Sequence, residues 1–412
     1  MRSRAAVFFA VLFMIPAAEA ETFDLRGFVT GRGMYVTGQP SWMQGGFGRF
    51  DAGGEGVNRG RGAAVADVQL GFDWQPVKHV LVHAHGDARA EPSENRGRRA
   101  GLVSAYVEGD WERGRNELLV RAGQFFPGTS RENVAELWSS PYTLTGSTLN
   151  SWVAEEVRPI GVNAEWRVLT STALITTSAT AFRGNDSMGG LLAWRGWTAG
   201  NRLTVFKEVL PLPPLRSLNQ VFIHQRRDGT KPFGTDLDGR TGYAARIRYA
   251  IPERASIQFT RIDNEGDRRL HRGEYAWRTP FNILGADAHF GDATLASEWM
   301  SGKSGMGDPR ANSIDIDFYS AYLLGSYKSG RNRLSARYEI FATHDRHPVA
   351  GDRYDEHGRG WTFAWLLDVT SHVRGGIEFT QIAGTHQEAG DSGFSPVIDG
   401  RSVMLEMRYS IR

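Results

Sequence analysis

Apolar and polar residues alternate along many short stretches of this chain. In the last stretch, residues 401–412, every second position is apolar: Val403, Leu405, Met407, Tyr409 and Ile411. The later positions between them are polar or charged: Glu406, Arg408, Ser410 and Arg412. Successive side chains of a β-strand point to opposite faces, so this pattern predicts a strand with one apolar and one polar face.

The same alternation recurs along the chain, for example in residues 66–74, 160–167, 243–249, 333–340 and 361–368. The connections between the predicted strands alternate in length. The short ones are 75–78, 112–115, 169–171, 198–201, 251–254, 291–292, 328–331 and 370–372. The long ones are 38–62, 91–99, 127–156, 184–190, 210–240, 264–278, 302–313, 344–359 and 384–400. These eight turns and nine loops predict eighteen strands. The pattern is weakest over 172–209, which leaves sixteen strands as the alternative.

An even number of strands, with all long loops at one end, is typical of outer-membrane barrels that face lipid with apolar residues and the lumen with polar ones. A water-soluble barrel would reverse the two faces. We therefore predict an all-β protein, a transmembrane antiparallel up-and-down β-barrel over residues 21–412. Aromatic residues beside the short turns or the chain end fit an interfacial ring that contacts outer-membrane lipid: Trp74, Trp111, Trp166, Tyr249, Tyr327 and Tyr409.

The first twenty residues have the order of a secretory signal peptide. Arg2 and Arg4 give a positive start, 5–16 is a short apolar run, and Ala18-Glu19-Ala20 is a small-x-small cleavage site. The apolar run is too short for a membrane-spanning helix, which needs about 20 apolar residues. We expect residues 1–20 to be removed, and the mature chain to reside in the cell outer membrane.

Composition narrows the possible functions. The chain has no cysteine, which excludes disulfides, thiolate chemistry and a Cys-based metal or haem site. Its net charge of +2 argues against a nucleic-acid partner that is bound through a large positive charge. Among 48 basic residues only five are lysine, and the rest are arginine, which is always charged and binds carboxylates with two parallel hydrogen bonds. We expect no cofactor.

The polar faces of the predicted strands carry many charges, which a dry interior could not hold without costly desolvation. A water-filled lumen could hold them, most of them as arginine–carboxylate pairs. Unpaired arginines would favour anions in a pore. The positions that we predict to line the pore are Arg26, Arg121, Arg167, Arg246, Arg248, Arg333, Arg337, Glu339, Arg374 and Arg408.

The loop over residues 127–156 is long enough to be functional, and its aromatic and aliphatic content favours an ordered loop. Thr129 and Glu132 have the spacing of a capping box, which predicts a short helix over 132–138. The loop either folds into the lumen and narrows it or covers the barrel mouth. In the first case Arg131, Glu132 and Glu136 are the candidates for a constriction.

One cluster on the third strand is compatible with metal binding. His83, His85 and Asp87 are spaced two apart, and two histidines at that spacing in a strand can share one ion. The alternative is a row of solvated polar groups, and we predict no metal site here. The chain has none of the common hydrolase or metalloprotease motifs, and we predict that it has no catalytic residues and is not an enzyme.

Two segments resemble a known family. The stretch Val120-Arg121-Ala122-Gly123-Gln124-Phe125-Phe126-Pro127, the long loop after it and Glu155-Glu156-Val157-Arg158-Pro159-Ile160-Gly161-Val162 are similar to Gram-negative general and anion-selective porins, including the phosphate-selective type. The resemblance implies a barrel for passive diffusion of small hydrophilic solutes, as a homo-trimer or a monomer. A mildly anion-selective porin is therefore our first hypothesis. A polysaccharide export channel or structural sleeve, and an outer-membrane barrel enzyme, are the alternatives.

Overall fold

The computed structural model of the chain describes residues 22–348 and 351–411. The predicted signal peptide, residues 1–20, lies outside the described residues. The barrel strands are β1 Thr22–Gly38, β2 Gly56–Val77, β3 Val80–Ala90, β4 Ala100–Arg113, β5 Asn116–Gln124, β6 Ile160–Leu169, β7 Leu174–Arg183, β8 Gly242–Ile251, β9 Ala255–Asp263, β12 Phe281–Phe290, β13 Ala293–Gly307, β14 Ser313–Ser329, β15 Asn332–Asp345, β16 Glu356–Asp368, β17 Val373–His386 and β18 Val397–Ile411. A separate hairpin in a loop is formed by β10 Leu270–His271 and β11 Glu274–Tyr275.

The sixteen barrel strands form one closed antiparallel sheet in chain order. The first and last strands complete it, since β1 pairs with β18 over a register that includes Val29 with Tyr409 and Gly33 with Leu405. All long loops lie at one end of the barrel, here called the long-loop end, and all tight turns lie at the other, the short-turn end. This architecture confirms the predicted all-β transmembrane-type barrel.

The barrel has sixteen strands, the alternative count, rather than eighteen. The difference lies between β7 and β8, where we predicted two more strands separated by a turn at 198–201. In the structure, residues 184–241 form a single loop that contains the short helices α2 Gly190–Arg195 and α3 Arg216–Gln220. The apolar residues of the two expected strands, such as Leu192, Trp194 and Val205, are buried within the folded loop, so their pattern does not mark a strand.

The alternation correctly predicts which face of each strand points inward. In β18, Leu405 and Met407 are exposed on the outer face, whereas Glu406 and Arg408 are buried. Five of the six aromatic residues predicted for the interfacial ring are at least 45% exposed on the outer face: Trp111, Trp166, Tyr249, Tyr327 and Tyr409. None of the described helices is both long and apolar enough to cross a membrane.

The interior at the long-loop end is filled by an apolar core. Inward residues of the strands contribute Ile262, Phe281, Ile283, Met300, Ile316, Phe318, Phe341, Ile382 and Ile398. The loops contribute Trp42, Met43, Phe47, Leu149, Trp152, Trp194, Trp197, Leu210 and Leu215. Because the loops remove these wall residues from water, this half of the barrel is stabilised as the core of a soluble protein is.

The predicted helix over 132–138 is wrong. Only a single tight turn forms there, at Glu136–Trp138, and the α-helix of this loop is α1, Thr148–Glu156, which is capped by Ser147. The hydroxyl of Ser130, rather than of Thr129, accepts hydrogen bonds from the backbone N–H groups of Glu132 and Asn133, which closes a turn instead of beginning a helix. The remaining helix, α4 Gln387–Asp391, lies in the last long loop.

Candidate functional site

The loop between β5 and β6, residues 125–159, lies inside the barrel and is bound to the inner wall by carboxylates. Glu378 of β17 accepts hydrogen bonds from the backbone N–H of Leu144 at 2.6 Å and from the hydroxyl of Thr145 at 2.5 Å. Glu339 of β15 accepts one from the N–H of Thr148 at 2.6 Å. A carboxylate that accepts backbone N–H bonds satisfies both groups in a place without water. The wall carboxylates therefore fix the path of the loop.

A buried ion pair fixes the same loop to β15. Arg337 donates to the carboxylate of Glu132 and, at 2.8 Å, to the carbonyl oxygen of Thr145. Both charged side chains are completely inaccessible to solvent. Removing one partner of such a pair leaves an uncompensated buried charge, which costs about 3–5 kcal/mol. Arg337 and Glu339, which we predicted to face the pore, therefore lie in the contact between loop and wall.

The three constriction candidates have different surroundings. Arg131 is buried, donates to the side-chain oxygen of Gln258 at 3.1 Å and lies 3.4 Å from Asp287. Glu132 is buried beside Arg337. Only Glu136 is exposed, and it borders a cavity of about 400 Å³ near the short-turn end. The part of the lumen toward the short-turn end is here called the lower lumen. Among these three residues, Glu136 is the one that a solute in the lower lumen can contact.

The loop bends sharply next to Glu136. Leu137 and Trp138 both have left-handed backbone conformations, with φ of 52° and 58°. Such conformations cost non-glycine residues about 1–3 kcal/mol each and persist only where the surroundings impose them. Here the ring of Trp138 stacks on Phe126 with centroids 4.3 Å apart, and Leu137 packs against β2 at Gly71. The bend, residues 133–139, is the loop tip.

The inner wall at β18 and β1 carries a paired charge ladder. Glu406 lies between Arg32, which donates to it at 2.8 Å, and the arginines Arg374 and Arg408, at 3.3 and 3.4 Å. Arg26 pairs with Asp73 of β2 nearer the short-turn end. Arg374, Arg408, Glu136 and Asp368 all border the same 400 Å³ cavity, so this side of the lumen has a polar wall of mixed charge.

The opposite wall, formed by β5 to β9, surrounds a second cavity of about 300 Å³. Its charged lining residues are Arg121, Glu165, Arg167, Arg246 and Arg248. The remaining predicted residue, Arg333, lies on β15 near the short-turn end, where it is partly exposed and donates to the hydroxyl of Ser326 at 2.9 Å. Every residue that we predicted to line the pore is therefore on the inner face of the barrel, and two of them are covered by the loop.

The three side chains of the histidine cluster do not bring their ligand atoms to one point. His83 lies 2.5 Å from a carboxylate oxygen of Asp73 through Nδ1 and 3.3 Å from the hydroxyl of Ser104 through Nε2. In the described parts of the chain, one group of acidic side chains has oxygen atoms that all lie within 4.8 Å of one another: Asp186, Asp236 and Asp238. It belongs to loop 184–241, and the sequence pattern had not indicated it.

A carboxylate missed by the sequence analysis joins the two loops inside the barrel. Glu156, at the end of α1, accepts hydrogen bonds from the N–H groups of Leu191 at 3.0 Å and Leu192 at 3.1 Å, at the start of α2. Burial raises the pKa of Glu156 to about 7. Next to it, Glu155 accepts a hydrogen bond from Arg195 at 2.5 Å. The only sequence signal was a pair of glutamates inside an otherwise apolar loop segment.

Comparison with known proteins identifies the fold. No protein-family profile and no curated protein matches the sequence. The outer membrane channel DcaP of Acinetobacter baumannii superposes with a TM-score of 0.56 at 12% identity, over 95% of this chain and 97% of that one. OmpF of Salmonella typhi, solved in complex with daunomycin, gives 0.55 at 11% identity over 94% and 97%. The anion-selective porin from Comamonas acidovorans gives 0.53 at 10% identity over 95% and 100%. This chain has the closed sixteen-stranded fold of Gram-negative outer-membrane porins.

Proposed function

We propose that the protein is an outer-membrane channel for passive diffusion of small hydrophilic solutes, with a mild preference for anions and no catalytic role. The observation that carries this proposal is the closed porin-type barrel with an arginine-rich inner wall around open space at the short-turn end. Charge that lines a narrow aqueous path raises the local concentration of the opposite ion. The outer apolar face, with its aromatic residues, would contact outer-membrane lipid.

In this proposal the solute passes the tip of loop 125–159, and the loops at the long-loop end restrict its entry. The residues that meet the solute are those of the lower lumen: Arg26, Arg121, Arg167, Arg246, Arg248, Arg333, Arg374 and Arg408. Arg337, Glu339, Arg131 and Glu132 hold the loop in place and thus set the width of the path. The functional unit is a monomer or a homo-trimer.

Single-channel recording in planar bilayers tests the channel. We expect ohmic current steps from the purified protein. Under a salt gradient, the reversal potential should show a mild preference for anions. This preference should fade at high salt, because the Debye screening length falls with ionic strength and is about 10 Å at 0.1 M. A protein that inserts but carries no current would contradict the proposal and favour a sleeve or an enzyme.

The absence of cysteine allows a sharper test of the path. Glu136→Cys would place a single thiol at the loop tip, and a bulky charged thiol reagent added from the short-turn side should lower the conductance. Asp292→Cys, in the exposed tight turn between β12 and β13 at the same end of the barrel, is the matched control, and its modification should leave the current unchanged. Complete modification of Glu136→Cys without any change in current would exclude a path past the tip.

A further inference from the structure

The inner wall is recessed at β7. Its side chains that line the 300 Å³ cavity include the short hydroxyl residues Thr176, Ser178 and Thr180. On the neighbouring strands, the cross-strand partners of these positions include long side chains, such as Arg167 beside Thr176 and Arg246 beside Ser178. Short side chains between rows of long ones leave room for a solute. Residues 125–128, the start of the loop inside the barrel, cover one side of this hollow.

The charges around the hollow do not balance. The arginines are Arg121, Arg131, Arg167, Arg246 and Arg248, and the carboxylates that pair with them are Glu108, Glu117, Glu165 and Asp287. Glu165 serves two of the arginines, since Arg167 donates to it at 2.7 Å and Arg246 also donates to it. The fifth arginine, Arg248, takes part in none of these ion pairs.

Arg248 is the free cation of the hollow. In the described part of the chain no carboxylate oxygen lies within 4.0 Å of its guanidinium nitrogens, and its Nε is buried without a hydrogen-bond partner. Thr176 is its direct cross-strand partner. Side chains directly opposite each other in an antiparallel pair have Cβ atoms about 4.5–5.5 Å apart. A guanidinium and a hydroxyl at that spacing can bind the same group from two sides.

We propose that the hollow is a saturable binding site for a small oxyanion, a phosphate or carboxylate group, held by Arg248 and the hydroxyl of Thr176. Guanidinium groups bind both kinds of oxyanion through two parallel charge-assisted hydrogen bonds. The volume of the hollow is at the lower end of small-molecule pockets, about 300–1,000 Å³, so the ligand is small. This inference rests on the proposed function, because the site then lies on the path of the diffusing solute and slows anions that fit it.

Calorimetric titration of the purified, folded protein tests the site without requiring any current. Inorganic phosphate and succinate are titrated separately at constant chloride concentration, and the two series distinguish the phosphate from the carboxylate source. We expect one saturable site for at least one of them. Arg248→Gln should weaken binding by about tenfold or more, and Thr176→Val should weaken it less, because a neutral hydroxyl forms the weaker hydrogen bond.

Arg331→Gln is the matched control, since it removes the same charge from the exposed turn between β14 and β15 and should keep the wild-type affinity. Equal affinity in the wild type and in Arg248→Gln, or the absence of a saturable site for both anions, would overturn the inference. A protein that binds phosphate but carries no current in bilayers would contradict the proposed function alone. A protein that conducts but binds neither anion would contradict the site alone.

Discussion

Arg333 and Arg337 lie four residues apart on the same face of β15, but they differ in their exposure to solvent and in their ion pairing. Arg337 is buried under loop 125–159 in an ion pair with Glu132, whereas Arg333 is partly exposed and donates only to Ser326. The same division holds for the whole interior. The half toward the long-loop end is filled by loops and an apolar core, and the half toward the short turns is bordered by arginines around cavities. An inward-facing position therefore does not by itself determine whether a side chain of this barrel is buried or exposed to water.

The largest effect that separates the two halves is expected from Arg337→Met. The substitution leaves Glu132 buried and unpaired, and it should lower the free energy of unfolding by about 3–5 kcal/mol in a reversible urea titration of the membrane-inserted protein. Arg333→Met, on the same strand, should cost less than about 1 kcal/mol, because its charge is partly solvated. Adding Glu132→Gln to Arg337→Met should recover part of the loss. An equal loss of unfolding free energy in Arg333→Met and Arg337→Met would contradict the division of the interior into two halves.

The half of the interior toward the short turns is here called the open half. Inverting the charge of arginines in the open half is expected to reverse the ion selectivity. Arg246→Glu combined with Arg248→Glu should shift the reversal potential toward cations, because both side chains border the hollow beside β7. Arg337→Met should leave the sign of selectivity unchanged, since its charge is not in contact with water. An unchanged reversal potential in the double variant would show that ions do not pass along this wall.

A smaller effect is expected of pH on the stability of the loops in the filled half, the half of the interior toward the long-loop end. Burial raises the pKa of Glu156 and Asp186 to about 7 and that of Glu388 to about 8. A carboxyl group with a raised pKa in the folded state contributes stability that is complete below its ordinary pKa, near 4, and is lost as the pH rises through its folded value. The loops should therefore open more easily at pH 8 than at pH 5.

Hydrogen exchange of loop 184–241, corrected for the intrinsic pH dependence of the exchange rate, measures this effect. Exchange should be faster at pH 8, and Glu156→Gln should reduce the difference between the two pH values because one of the titrating groups is then missing. The strands of the open half serve as the internal reference and should change less. Slower corrected exchange of the loop at the higher pH would contradict the assigned direction.

The smallest effect is expected from Glu136→Gln at the loop tip. The side chain is exposed, so its free energy of unfolding should change by less than about 0.5 kcal/mol. Conductance should change only slightly, with a small gain in anion preference because one negative charge beside Arg374 and Arg408 is lost. A stability loss comparable to that of Arg337→Met would mean that the tip is part of the filled half.

Much of the fold follows from local pattern. The period of two determines which residues face outward, as Leu405 and Met407 do, and the alternation of short and long connections determines that the barrel has an even number of strands with all loops at one end. These features depend only on strand geometry and on the exclusion of charge from lipid, and both act on each segment separately. For that reason the charged residues of the interior were also predictable as a set.

The contacts of each inward-facing side chain follow only from the tertiary structure. An apolar inward residue such as Phe281 or Ile316 looks like an error in an alternating pattern until the loops that cover it are in place. The number of strands was decided in the same way, because the apolar residues of 191–197 belong to the interior core and not to the outer face. The sequence cannot distinguish these two environments, since both exclude water and favour the same side chains. The contacts that do distinguish them, such as Arg337 with Glu132 and Glu378 with Leu144, join residues 205 and 234 positions apart in the chain.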